Sequence, residues 1–184
     1  PRYDTYSPDT NKRFRRPDGG NRTGASGHLS VSAAYPLSMP SALFVVSEEG
    51  YWGEECIEPL TTLTDAGVDI TVATPSGSPP VLDERSVDPE EVGEETAAVV
   101  REAHESDRRL NDPTPVAETD AEDYDVVVFP GGHGTEWDVN QDSDARRLLR
   151  DAVEGESGTA LVVCHAVGIL AFARDSDGGF LVEG

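Results

Sequence analysis

At 184 residues the chain is long enough for one domain with a sizeable core and too short to expect two. Its 36 acidic residues against 14 basic ones give a formal net charge of −22, which disfavours nucleic acid and anionic membrane surfaces as partners. No apolar run approaches the roughly 20 residues of a membrane span.

The charge is unevenly laid out. Six of the basic residues, among them the single lysine Lys12, precede residue 39, and from Met39 onward there are eight arginines, no lysine and 33 Asp or Glu. Such a surface suits concentrated salt, which screens charges within roughly 3 Å at 1 M, so a saline cytoplasm is the expected setting. Cys56 and Cys164 lie far apart without CxxC spacing, which fits reduced thiols inside a cell better than a disulfide framework. The first residues contain no apolar h-region of a signal peptide.

Residues 1–38 are rich in Pro, Gly, Ser, Asn and Arg without a sustained period, and they are expected to be a disordered extension. The domain is expected over 39–184, with Met39 as a candidate natural start. Ala42–Val46 is a short apolar run that reads as a first strand. Cys56, Ile57, Leu60 and Leu63 then recur at helical spacing, Gly67 stops the helix, and Val68–Ala73 reads as a second strand. Five prolines or glycines punctuate 74–89 as a loop, a polar helix is expected around 90–104, and an acidic stretch runs to Asp125. Val126–Phe129 is a third strand, Pro130–Asp138 a glycine-rich loop, Ser143–Val153 a helix with Leu148, Leu149 and Val153 inward, and Thr159–Val163 a fourth strand. Unbroken apolar strands separated by helices predict an α/β fold with a parallel sheet covered on both faces.

Three unusual segments follow strands one, three and four, where the carboxyl ends of a parallel sheet bind ligands: Ser47 to Glu55, Pro130 to Asp138, and Cys164 to Gly168. Cys164 stands where an apolar strand turns into a helix. That position either exposes the thiol to a helix N-terminus, lowering its pKa and making it nucleophilic, or holds an inert buried cysteine. The side chain of His165 is expected to point away from the thiol, while its backbone N–H suits an oxyanion. Gly132 either supplies a second such N–H or merely turns the chain, and His133 and Trp137 are candidate pocket walls. Glu54 and Glu55 suit a helix start whatever their function; alternatively, Glu55 buried under Tyr51 and Trp52 could exchange a proton with the thiol. A metal site from Cys164, His133 and His165 lacks any HxxxH or CxxC spacing to support it.

Glu55 followed by Pro59, the Phe129-Pro-Gly-Gly-His-Gly134 loop and the Val163-Cys-His165 elbow together resemble the DJ-1/PfpI superfamily, which is class I glutamine amidotransferase-like, and within it the Hsp31-like glyoxalase III branch. The resemblance spans about residues 41–184. It implies a flavodoxin-like sandwich, commonly dimeric, with Cys164 as nucleophile, Glu55 as its protonated partner, and Gly132 with His165 at the oxyanion site. It also implies conversion of methylglyoxal to lactate without glutathione, metal or organic cofactor, with chaperone-like and deglycase activities in relatives. Relatives continue some tens of residues past the elbow, where an acidic third member of the triad lies; here 20 residues follow Cys164, and Gly179 to Gly184 reads as the start of a hairpin. Other readings are a glutamine amidotransferase, which needs a downstream His-x-Glu pair, a cysteine peptidase completed by oligomerisation, and a non-enzymatic holdase or redox sensor in which Cys164 is oxidised.

Overall fold

The structure is a computed structural model that describes residues 39–155 and 158–182; the disorder expected for residues 1–38 lies outside them. Five strands form one all-parallel sheet: β1 Ser41–Val45, β2 Asp69–Thr74, β3 Thr114–Pro115, β4 Val126–Phe129 and β5 Ala160–Val162, in the spatial order β3-β2-β1-β4-β5. The chain steps outward from β1 to β2 and β3, then returns to the other side of β1 for β4 and β5. The order therefore reverses between β1 and β4, and the crevice at such a switch point is where α/β sheets bind ligands.

Alternation along β1 shows why the strand reads as continuously apolar. Ala42, Phe44 and Val46 enter one buried cluster with Cys56, Ile57, Leu60 and Val100, whereas Leu43 and Val45 enter another with Leu148, Leu149 and Ala152. Successive side chains of a strand point to opposite faces, so a sheet covered on both sides needs apolar residues at every position. The first cluster lies under α1 (Gly53–Asp65) and α3 (Glu94–Ser106), which follows the four-residue α2 (Pro89–Val92). The second lies under α5 (Ser143–Glu154), and the single turns α4 (Arg108–Asn111) and α6 (Ile169–Phe172) add Leu110 to the first cluster and Ile169 to the second.

Helix ends follow local chemistry. At the end of α1, Gly67 takes φ 80°, its N–H bonds to the Thr64 carbonyl, and the Val68 N–H reaches back to Leu63 at 3.0 Å, the closure a glycine permits after a helix. Asp142 caps α5 by accepting from the N–H groups of Asp144 and Ala145 at 2.9 and 2.8 Å.

The strands and principal helices expected from the sequence are present with ends moved by a residue or two, and the polar helix is split at Gly93. Two expectations fail. Val153 is exposed, because the inward stripe of α5 runs through Ala145, Leu148, Leu149 and Ala152, and the next residue turns out to solvent. The acidic stretch before Asp125 contains β3, whose two residues pair with Ala73 and Thr74 and carry no period a strand of that length could display. Near the end of the described chain, Arg174 and Phe180 form an antiparallel bridge around the Asp175–Gly179 turn, so Phe180 pairs backwards along the chain. Among the described residues no helix is long and apolar enough to cross a membrane.

Candidate active site

The three segments singled out in the sequence leave the carboxyl ends of β1, β4 and β5, which are neighbours in the sheet. Their loops are stitched together by backbone bonds. The Trp52 N–H donates to the Gly131 carbonyl at 2.8 Å, and the Gly134 N–H to the Gly50 carbonyl at 2.9 Å. Asp138 fastens the same loops through its carboxylate, which accepts from the Ser47 hydroxyl at 2.9 Å and the Glu48 N–H at 2.7 Å. Burial raises the Asp138 carboxyl above its usual value, and these bonds only partly offset the effect.

Cys164 sits one residue past the end of β5, after Val163, with φ 52°, the one non-glycine residue with positive φ among those described. A side chain in that conformation costs about 1 kcal/mol or more, and such outliers cluster at functional sites. The turn leaves Cys164 exposed, whereas Cys56 on α1 is buried in the core. Asn140 holds the elbow from behind, its side-chain N–H donating to the His165 carbonyl at 3.0 Å.

Glu55, in the first turn of α1, is the carboxylate whose charge acts on the thiol. Its Oε2 is buried and has no hydrogen bond of ordinary geometry among the described residues, yet it lies near enough for its charge to act on the sulfur. The narrowness of the space is fixed by Gly131, where a Cβ would collide with Glu55 Oε2, Cys164 Cβ and the Val163 carbonyl. At Gly132, φ is 123°, and a Cβ would strike the backbone of Gly50, Tyr51 and Trp52. Only glycine lets this loop pass between the first segment and the elbow.

Two expectations about the thiol are corrected. Its pKa is raised, first by partial desolvation of the sulfur, although the residue as a whole is exposed, and then by the Glu55 carboxylate, with the backbone N–H groups of His165 and Gly132 opposing both. The helix dipole expected to lower it is absent for a structural reason: Cys164–Gly168 is a 3-10 turn leading only to the single turn of α6. The His165 ring, expected to point away, has Nδ1 3.2 Å from Cys164 Sγ, at an elbow where Cys164 itself takes φ 52°.

Gly132 and His165 thus bring backbone N–H groups to the sulfur, where they favour the thiolate. His133 stands beside them with its ring centroid 4.7 Å from that of His165. Trp137 does not join them: it is 74% exposed, and Trp52 supplies the indole instead, edge-on to His133 at 6.4 Å. Tyr51 is buried next to α3, its hydroxyl 2.9 Å from His104 Nδ1. The sequence reading overlooked Asn140 and Asp83, the latter bonded to His133. Asp83 lies in a loop whose prolines and glycines gave no chemical signal, and Asn140 acts through a backbone carbonyl 25 residues away.

Comparison with known proteins supplies the family. A Staphylococcus aureus protein named protein/nucleic acid deglycase HchA is 28% identical over 125 residues, which are 65% of this chain and 41% of that protein. The crystal structure of glyoxalase III from Candida albicans matches with a TM-score of 0.66 at 23% identity, covering 79% of this chain and 66% of that one. Drosophila melanogaster DJ-1beta matches with a TM-score of 0.53 at 26% identity, covering 73% and 60%. The chain thus spans about two fifths of the curated relative and just under two thirds of these solved structures. The DJ-1/PfpI family model matches residues 40–179, the stretch that carries the sheet, Glu55, the Gly131–Gly132 loop and the cysteine elbow, and the chain belongs to the DJ-1/PfpI family.

Proposed function

We propose that the chain is a cysteine-dependent, cofactor-independent enzyme of glyoxalase or deglycase type that acts on small reactive aldehydes and converts methylglyoxal to lactate. The observation that carries this reading is the Cys164–Glu55 pair: a thiol on a strained, exposed elbow, set against a buried carboxylate oxygen with no other partner among the described residues. The family to which the chain belongs and the deglycase relative support it.

The sulfur attacks the aldehyde carbon, its proton passing to the neighbouring His165 Nδ1 at 3.2 Å. The oxygen that becomes anionic faces the N–H groups of Gly132 and His165. After that oxygen is protonated to give a hemithioacetal, Glu55 takes the proton from the same carbon, forming an enediol, and returns it to the adjacent carbon. The product is a lactoyl thioester on Cys164, and water releases lactate and the free thiol.

The raised thiol pKa fits this sequence, because a thiol that keeps its proton until an aldehyde arrives is less open to alkylation and oxidation at rest. Conversion of methylglyoxal to lactate by the full chain, followed with an enzymatic lactate assay, tests the proposal. Activity should vanish in Cys164→Ser, whose hydroxyl has too little anion at neutral pH. Lactate formation by that variant within about tenfold of wild type would sink the nucleophile assignment.

A further inference from the structure

A second pair of groups, Asp83 and His133, reaches the His165 ring beside the sulfur and takes no part in attack or in the carbon-to-carbon proton transfer. Asp83, between β2 and α2, has a side chain only 10% exposed, and its Oδ2 is 2.5 Å from His133 Nδ1. Oδ1 accepts from the Arg85 N–H at 3.0 Å, so both oxygens of the carboxylate are held. The His133 ring is 47% exposed and 4.7 Å from the ring of His165, whose Nδ1 faces Cys164 Sγ.

Burial works to raise the Asp83 carboxyl, but bonds from the His133 ring and from the N–H groups of Arg85 and His133 outweigh it and hold the group below its usual value. An ionised carboxylate only accepts hydrogen bonds, so His133 Nδ1 is the donor to Asp83 and Nε2 is the ring nitrogen turned away from it. This is the orientation an Asp–His pair gives to a general base.

The chemistry calls for a base in that place. Glu55 can move a proton between two carbons held above it, but its Oε2 is sealed from solvent. Hydrolysis of the thioester needs a water delivered from outside, and the half-exposed ring next to the elbow stands on that side. We propose that the Asp83–His133 dyad activates the water that releases the acyl group from Cys164, with His133 as the base and Asp83 as its positioning residue. His133 Nε2 removes a proton from water as the oxygen bonds to the thioester carbonyl carbon. The tetrahedral intermediate collapses, the C–S bond breaks with its electron pair going to sulfur, and the proton held by His133 neutralises the departing thiolate. Thioester and water become carboxylic acid and thiol, with no other reactant.

This inference rests on Cys164 as the nucleophile but not on methylglyoxal as the substrate, so its test uses another acyl donor. The full chain is treated with p-nitrophenyl acetate; the burst of p-nitrophenolate reports acylation, and intact mass measures the loss of the acetyl group from Cys164. Asp83→Asn and His133→Gln should keep the burst, which shows a folded elbow with a working nucleophile, and should lose the acetyl group at least ~tenfold more slowly than wild type. Deacylation in both variants within about twofold of wild type would overturn the dyad. So would a wild-type chain that holds its acetyl group as long as the variants do, or one that is not acetylated at Cys164. Absence of methylglyoxal turnover beside a normal burst and slowed variants would remove the proposed substrate and leave the dyad standing.

Discussion

The negative charge of the Glu55 carboxylate opposes ionisation of the Cys164 sulfur. The carboxylate's charge is a cause of the raised thiol pKa, second to burial, so replacing Glu55 with Gln should have two effects of opposite sense. Removal of the negative charge should move the midpoint of Cys164 alkylation by iodoacetamide to lower pH and speed alkylation at neutral pH. The same substitution should lower methylglyoxal turnover by about 10²–10⁴, since an amide cannot carry a proton between two carbons. Rates of adduct formation on the Cys164 peptide across pH, beside lactate assays, measure both. An alkylation midpoint unmoved by Glu55→Gln would show that the carboxylate does not act on the sulfur, and near-normal turnover would return Glu55 to a helix-start role.

Elements owe their placement to a few end residues and to the stripe each one buries. On α5 the buried stripe of Ala145, Leu148, Leu149 and Ala152 presses on the β4 side of the sheet, and Asp142 starts the helix with two backbone bonds at 2.9 and 2.8 Å. Asp142→Ala should therefore lower stability by about 1 kcal/mol, read from urea unfolding midpoints, with acylation of Cys164 unchanged. A loss below about 0.3 kcal/mol would show that the cap is dispensable. Helix α1 carries its own irregularity. Pro59 has no N–H to give to the Glu55 carbonyl one turn earlier, so the residue that meets the thiol also sits where the helical ladder is interrupted.

Across the whole molecule the acidic excess leaves cations shared among carboxylates: Arg147 alone lies within 4.0 Å of Asp120, Asp144 and Asp151. With eight arginines against 33 acidic residues from Met39 onward, self-repulsion opposes the compact state and is relieved by screening. Thermal unfolding midpoints should climb as KCl is raised from about 0.1 to about 3 M, while the Debye length falls from about 10 Å to a few ångström. A flat or falling series would detach the acidic surface from a saline setting.

The sequence by itself determined the class of fold and the strand ends that matter. Apolar residues from Ala42 to Val46 and throughout β4 require a sheet covered on both faces, and the glycines at 131 and 132 mark a loop that must pass close to other backbone. It also indicated Cys164 and Glu55, because a thiol at a strand end and an acid at a helix start are local features. Tertiary structure decided everything that depends on what lies across the sheet. Burial and the Glu55 charge, contributed by a segment more than 100 residues away, reverse the expected shift of the thiol pKa. The His165 ring meets the thiol at an elbow where Cys164 takes a positive φ, which no residue type announces. Trp52 in place of Trp137, and Asp83 against His133, are pairings between loops from different strands. Periodicity cannot report them, because local sequence encodes which face a side chain takes but not which distant loop meets it.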